Sequence, residues 1–221
     1  MILSSCKKDE IIVAQERPVS SFHKIVLKHR INLILTQSSS NALTVIADMQ
    51  KLSSIKTEVV DSVLYIEDLS NNIINKPGET IDVLLDVSGL ETIDYQGSGN
   101  ITSTNQLTAQ TFTIVSMTGA GIIDLDVEAN HLVAGIYEDN ADIILSGRSN
   151  TSYVYCTSRG SIDLRDMEIK NLDIIYSSVR NGYVWATETL NGTIYHKGNV
   201  YYKGNPQINQ TILSEGKFLP L

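Results

Sequence analysis

Only two cysteines, Cys6 and Cys156, occur in 221 residues, too few for a disulfide framework in a chain of this size or for a thiolate metal cluster. No run of about 18 to 20 continuous apolar residues is present, so nothing reads as a membrane-spanning helix. Basic residues are outnumbered: 17 Lys plus Arg against 25 Asp plus Glu leave a formal charge of −8 and a pI near 4.9. That balance argues against a nucleic-acid backbone as partner. The four histidines, His23, His29, His131 and His196, share no motif, and neither a serine elbow nor a phosphate-cradling glycine loop appears. Gly97-Ser98-Gly99 is a corner and not a nucleotide site, because no helix follows to present its amide dipoles.

What the chain has in quantity is β-branched residues, 27 Ile, 16 Val and 17 Thr against 21 Leu. Such side chains favour the pleated, half-buried surface of a strand over a helix. With 42% hydrophobic and 19% charged residues, the composition is that of a folded globular chain long enough to bury a continuous core. Cys156, inside Tyr153-Val154-Tyr155-Cys156, has no base beside it and reads as a small core residue.

From residue 93 onward the chain repeats. Gly97-Ser98-Gly99, Gly119-Ala120-Gly121, Asn140-Ala141-Asp142, Arg159-Gly160-Ser161 and Asn181-Gly182-Tyr183 superimpose with the second small residue at 99, 121, 141, 160 and 182. Two residues past each marker stands a β-branched aliphatic, Ile101, Ile123, Ile143, Ile162 or Val184, and two further on Ser103, Leu125, Leu145, Leu164 or Ala186. A spacing of two places both positions on one strand face, and equal offsets in successive repeats stack those faces into columns. A second marker, Asn105, Asn130, Asn150, Asn171 and Asn191, suits corners between strands, since Asn tolerates left-handed backbone angles and bonds its own turn. The pattern predicts an all-β fold, a parallel β-helix or solenoid with coils of about 20 residues rising by about 4.8 Å each.

Earlier alternating stretches, Phe22–Leu27, Ile31–Leu35, Leu43–Ala47, Val63–Glu67 and Ile81–Leu85, form a β-rich block. Asn71-Asn72 and Lys76-Pro77-Gly78-Glu79 read as a loop. The expected organisation is a signal remnant and tether over 1–16, a single β-helical domain over 17–210, and a C-terminal tail over 211–221. Within the domain, 17–92 forms a β-rich cap and 93–210 the regular coils.

At the amino terminus, Met1-Ile2-Leu3-Ser4-Ser5-Cys6 places Leu and two small residues before Cys. This resembles the lipobox at which a bacterial lipoprotein signal is cut and the new terminal Cys acylated, although the charged and long apolar regions of a signal are missing. Lys7-Lys8-Asp9-Glu10 is similar to signals that send some Gram-negative lipoproteins to the outer face of the outer membrane. Acyl chains on Cys6 would anchor the chain without a spanning helix.

The glycine-serine-glycine corners, the opening Phe22-His23-Lys24-Ile25 and the closing Val200-Tyr201-Tyr202-Lys203-Gly204-Asn205-Pro206-Gln207-Ile208 together resemble the putative auto-transporter adhesin head GIN domain family. The resemblance covers roughly residues 17 to 210. It implies a lipid-anchored, secreted bacterial protein with a right-handed β-helical fold, and an adhesin role that is itself an inference for the family. The corners Asn140-Ala141-Asp142 and Arg159-Gly160-Ser161 depart from the glycine pattern.

Three functional expectations follow. The first is a non-catalytic, lipid-anchored outer-membrane protein facing the exterior, whose rigid face binds a glycan or a protein at the cell surface. Seven of the ten tyrosines and Trp185 fall in the last third, and Trp185, Tyr183, Tyr195, Tyr201 and Tyr202 are the candidate ligand-binding residues; such rings equally suit filling or capping the final coils. The second is a small glycan-processing enzyme using Asp124, Asp126 or Asp163. The third is a structural or homo-oligomerising module of the envelope. Asp124 and Asp126 lie about 6.6 Å apart on one strand face and are also candidate calcium ligands, although a solvated outer face accounts for them as well. No cofactor is called for. Asn100, Asn150, Asn191 and Asn209 head Asn-x-Ser/Thr triplets, which carry no glycosylation meaning in a bacterial lipoprotein.

Overall fold

A computed structural model describes residues 11–70, 80–138, 140–157 and 159–221. Cys6, the stretch after it and the Asn71-to-Glu79 loop lie outside the described residues. The amino-terminal part holds β1 (Ile12–Arg17), β2 (Lys24–His29), β3 (Asn32–Gln37), β4 (Ala42–Asp48), β5 (Ile55–Val60), β6 (Val63–Asp68), β7 (Asp82–Val87), β8 (Thr92–Gly97) and β9 (Ile101–Ser103). The remainder holds β10 (Leu107–Ser116), β11 (Ile122–Ile136), β12 (Asp142–Cys156), β13 (Ser161–Tyr176), β14 (Gly182–Ile194), β15 (Val200–Lys203), β16 (Gln207–Ile212) and β17 (Phe218–Pro220). All these strands join one continuous sheet wound into a solenoid. The all-β solenoid expected from the repeat is the fold observed. Among the described residues no helix is long and apolar enough to cross a membrane.

A regular coil has three outer faces. The first stacks β3, β9, the starts of β11 to β14, then β15 and β17. The second stacks the start of β10 on the middles of β11 to β14, as Thr108 on Glu128 on Arg148 on Glu168. The third stacks β2, β8 and the ends of β10 to β14, then β16. Between second and third faces the inward alternation changes phase: Ala129 and Leu132 are both buried, with half-buried Asn130 and exposed His131 between them. Asn thus marks a corner, although the markers are not all in register. Asn150 donates to Asn130, but Asn171 lies beside Thr151 and Thr189.

Inward side chains form stacked columns. Ile101, Ile123, Ile143 and Ile162 superimpose as expected. Val184 does not continue that column; it stacks on Leu164, while Ala186 stacks on Ile169. The physical reason is Tyr176. Its buried ring lies against Gly182, and a Cβ there would meet it, so a glycine occupies the level at which another aliphatic was expected. The same device opens the coils. Tyr95 donates to the Gly99 carbonyl at 2.5 Å; its ring fills the space that a Cβ at Gly119 would need, and its hydroxyl with the Gly99 carbonyl fills that at Gly121. Tyr95, Cys156 and Tyr176 each donate to the carbonyl four residues on, at 2.5, 3.5 and 2.9 Å, which explains the small residues of these corners. Cys156 is a buried core residue.

The cap is smaller than the expected 17–92. β2, β3, β6, β7 and β8 are themselves coil strands in parallel register. Only β1 and β4 on the first face and β5 on the third pair antiparallel. Arg17 ties the cap together by donating to the carbonyls of Leu52 and Ile55 at 2.7 and 2.5 Å. At the other end, 211–221 is no free tail. β16 runs through Ile212 on β14, and β17 pairs with β15.

Candidate functional site

Because successive side chains of a strand point to opposite sides, each face carries outward columns set entirely by register. On the first face one column reads Thr102, Asp124, Ile144, Asp163, Tyr183, Tyr201, Leu219. Tyr183 and Tyr201 stack with centroids 5.5 Å apart and 18° between their planes. Arg165, displaced from the strand line by the bulge of β13, lays its guanidinium over Tyr183 at 4.0 Å. It also grips Asp163 through Nε at 2.8 Å and Nη2 at 2.7 Å. Such planar, bidentate geometry is specific to Arg, and the Asp163 carboxylate raises the guanidinium above its ordinary value. In the neighbouring column Lys203 Nζ sits 3.7 Å above the Trp185 ring. Arg165–Tyr183–Tyr201 and Lys203–Trp185 thus form an outward-facing ladder of cations and half-buried rings, in which each cation meets the negative face of an aromatic.

Two of the tyrosines named from the sequence do not join it. Tyr202 points inward over Val184 and packs against the core, because it lies one residue out of phase with Tyr201 and Lys203. Tyr195 is half-exposed at the corner after β14.

The aspartates also share the first face, each in its own hydrogen-bonding setting. Asp163 is committed to Arg165, and Ile144 separates it from Asp124 in the column. Asp126 accepts from Gln106 at 3.0 Å while its amide donates to Ser103 Oγ. Asp142, beside a shallow hollow of about 490 Å³ with Asp163 and Tyr183, accepts from Ser161 and from both terminal nitrogens of Arg180. Among the described residues no group of three or more His, Cys, Asp or Glu is placed to hold a metal ion.

The second face carries charge. Its open groove of about 720 Å³ is lined by Glu128, Arg148, Glu168 and Lys170 among others, with Arg148 donating to Glu128 at 2.5 Å. The third face carries a cluster that sequence reading did not assemble. Tyr137 and Tyr153 flank Tyr155 at centroid distances of 4.5 and 5.8 Å. The signal was available: Tyr155 lies 20 residues past Gly135 in register, and Tyr137 two past that glycine.

The family described as putative auto-transporter adhesin, head GIN domain, matches residues 21–206. No curated protein matches the chain. Among solved structures, a putative adhesin from Bacteroides fragilis NCTC 9343 is 19% identical, with 96% of this chain and 98% of that chain covered and a TM-score of 0.86. A putative lipid binding protein from Parabacteroides distasonis ATCC 8503 is 18% identical over 95% of this chain and 96% of its own, with a TM-score of 0.73. A putative adhesin from Parabacteroides merdae ATCC 43184 is 16% identical at the same coverage, with a TM-score of 0.72. At such identities the likeness is one of fold.

Proposed function

This chain belongs to the putative auto-transporter adhesin head GIN domain family, and we propose that it is a non-catalytic binding protein of the cell surface. In this reading Cys6 carries the lipid anchor, the solenoid faces the exterior of the outer membrane, and the first face meets a glycan or a protein. The observation that supports it is the ladder itself. Tyr183, Tyr201 and Trp185, half-buried rings, are gathered with Arg165 and Lys203 from three successive coils onto one outer wall. A wall held by ladder hydrogen bonds on both sides is pre-organised, so little conformational entropy is lost when a partner docks. Tyr195 and Tyr202 have no part in it.

A glycan-cleaving role for Asp124, Asp126 or Asp163 has weaker support, since Asp126 and Asp163 already serve structural hydrogen bonds. The same two-residue spacing of Asp124 and Asp126 is all that favours calcium there. Self-association through the last coil, where Ile212 and Leu213 are exposed beside half-buried Phe218, fits the structural reading. Gel filtration across a concentration series is expected to show a dimer, and a monomer throughout removes that possibility.

The test of the main reading is a glycan and matrix-protein array probed with the full chain. Binding that Trp185→Ala abolishes supports the ladder, whereas binding untouched by Trp185→Ala and Tyr201→Ala moves the site elsewhere. Cys6→Ala is expected to release the protein from the membrane fraction; retention there would exclude the anchor.

A further inference from the structure

We propose that the third face is a separate binding track for an uncharged, extended glycan, centred on Tyr137, Tyr153 and Tyr155. It lies on a different wall from the Tyr183–Trp185 ladder and does not depend on that ladder binding anything.

The geometry begins with Gly135. A Cβ at this position would overlap the Tyr155 ring, so the glycine makes a notch in the outer surface of β11 into which the ring of the next coil lies down. Tyr155 is only 7% exposed, although its position is an outward one, while Tyr137 and Tyr153 stand beside it at 40% and 43% exposure. The rings are tilted by 51° and 46° to Tyr155. The result is a floor with two inclined aromatic sides. Burial first, and then the neighbouring Tyr137, hold the Tyr155 phenol protonated well above its ordinary value. The hydroxyl therefore remains a neutral hydrogen-bonding group at any physiological pH.

Two shallow hollows continue the cluster along the solenoid axis. One, of about 520 Å³, is lined by Asp94, Gln96, Thr113, Val115 and Met117. The other, of about 380 Å³, is bounded by Tyr153 itself with Asp173, Asn191, Thr193 and Asn209. The surface is thus a channel of rings flanked by amides and hydroxyls, the mixture that receives the apolar face and the hydroxyl rim of a pyranose. Coils rise by about 4.8 Å, close to the length of one sugar in an extended chain, so consecutive sugars would meet consecutive coils.

Charge and area exclude the other occupants. The carboxylates here are already engaged, Asp94 with Lys24 at 3.3 Å and Asp173 with Asn191 at 2.7 Å, and Glu138 at the edge is exposed. Lys24, which also lines the first hollow, is held by Asp94, and among the described residues no cation stands over the three rings to receive an anionic polymer, in a chain whose net charge is −8. The apolar part spans about three outward columns and four coils, on the order of 200 Å² from strand spacings, against roughly 800 Å² per partner in a stable protein interface.

The experiment is affinity electrophoresis of the full chain through gels containing hydroxyethyl cellulose, laminarin, galactomannan or xyloglucan, with polygalacturonate and heparin as anionic controls. Retardation by at least one neutral polymer is expected. Tyr137→Ala and Tyr153→Ala should each weaken it about tenfold or more, Tyr137→Phe and Tyr153→Phe should largely keep it, and Arg148→Ala on the second face should leave it unchanged. Thermal melts confirm that the exposed-ring variants remain folded, and the Phe variants separate ring contact from stability if an Ala variant melts early. No retardation by any neutral polymer, retardation insensitive to both Ala substitutions, or capture only by anionic polymers or matrix proteins would overturn the proposal. Loss with Trp185→Ala alone would assign glycan binding to the first face instead.

Discussion

The two ends of the solenoid reach the same cross-section by opposite chain logic. From β10 onward each coil lies on the one just before it: bonds between neighbouring coils join residues 20 apart for Asn130 and Asn150, 19 for Asp142 and Ser161, and 18 for Asp173 and Asn191. In the amino-terminal part the neighbours in space are distant in sequence. Asn32 bonds Asp82, 50 residues on, and the amide of Asn100, 68 residues on. After β1 the chain lays down the β2–β3 coil and runs outward to build β4 to β7. It then passes back over the earlier coil at Gly89, whose φ of +80° favours a residue without a Cβ, to add β8 and β9 on the other side. Parallel strands buried on a common core do not require sequence order, only register. A regular repeat is therefore one way of stacking coils, and a folded-back start that supplies its own cap is another.

This contrast can be broken most directly by core truncation. Leu33 and Leu190 are both fully buried, and Leu→Ala at either should cost about 2–5 kcal/mol. The distribution of the loss should differ. Leu33 stands between two coils of distant origin, so native-state hydrogen exchange of L33A should rise across the molecule. In L190A the rise should concentrate in β13 to β17, because repeats couple mainly to their neighbours. Equal acceleration at β2 and β3 in L190A would show that the halves do not differ.

A smaller effect of opposite sign is expected at Ser152. It occupies an inward position between Leu132 and Leu172, and its hydroxyl is buried without a hydrogen-bond partner. Removing an unsatisfied buried group recovers about 1 kcal/mol or more, so Ser152→Ala should raise the denaturation midpoint. A lower midpoint would mean that packing at this level outweighs desolvation. Tyr201→Ala should lose a comparable or smaller amount, about 0.5–1.5 kcal/mol from the stack on Tyr183. Calorimetry should find it reduced further in a Tyr183→Ala background, where the partner ring is already gone.

The smallest expected effect belongs to the cap. Burial alone would push the Asp68 carboxyl upward. The Ser70 amide, the Ser54 and Ser70 hydroxyls and the charge of Lys51 together outweigh it and hold the group below its ordinary value. A depressed folded-state value contributes stability that is present above the unfolded-state value and disappears as pH falls through the folded one. Asp68→Asn should therefore flatten the acid side of the stability profile; an unchanged profile would remove Asp68 from the acid transition.

The candidate residues divide in the same way as the fold. Tyr183, Trp185 and Tyr201 share an outward face because strand alternation within β14 and β15, together with a repeat of 18 residues, can be counted along the chain. Tyr202 is excluded by the same count. The same count sets Lys203 opposite Trp185 and Arg165 on the outward face, but only the bulge in β13 decides that the Arg165 guanidinium lies over Tyr183. The Tyr137–Tyr153–Tyr155 cluster was hidden for a related reason: its organiser is a glycine, a residue that announces a turn and here makes a notch.

Composition and spacing alone determined that the chain is all-β, that it coils with a period near 20, and that Ile101, Ile123, Ile143 and Ile162 superimpose, because alternation and period are local properties of a strand. Only the tertiary structure decided that Val184 leaves that column for Leu164, that β2 and β3 lie between coils formed later, and which rings face each other. Those outcomes depend on volume. A tyrosine ring fills the place of an aliphatic where a glycine admits it, and a coil takes whichever neighbour completes its hydrogen bonds, wherever that neighbour stands in the chain.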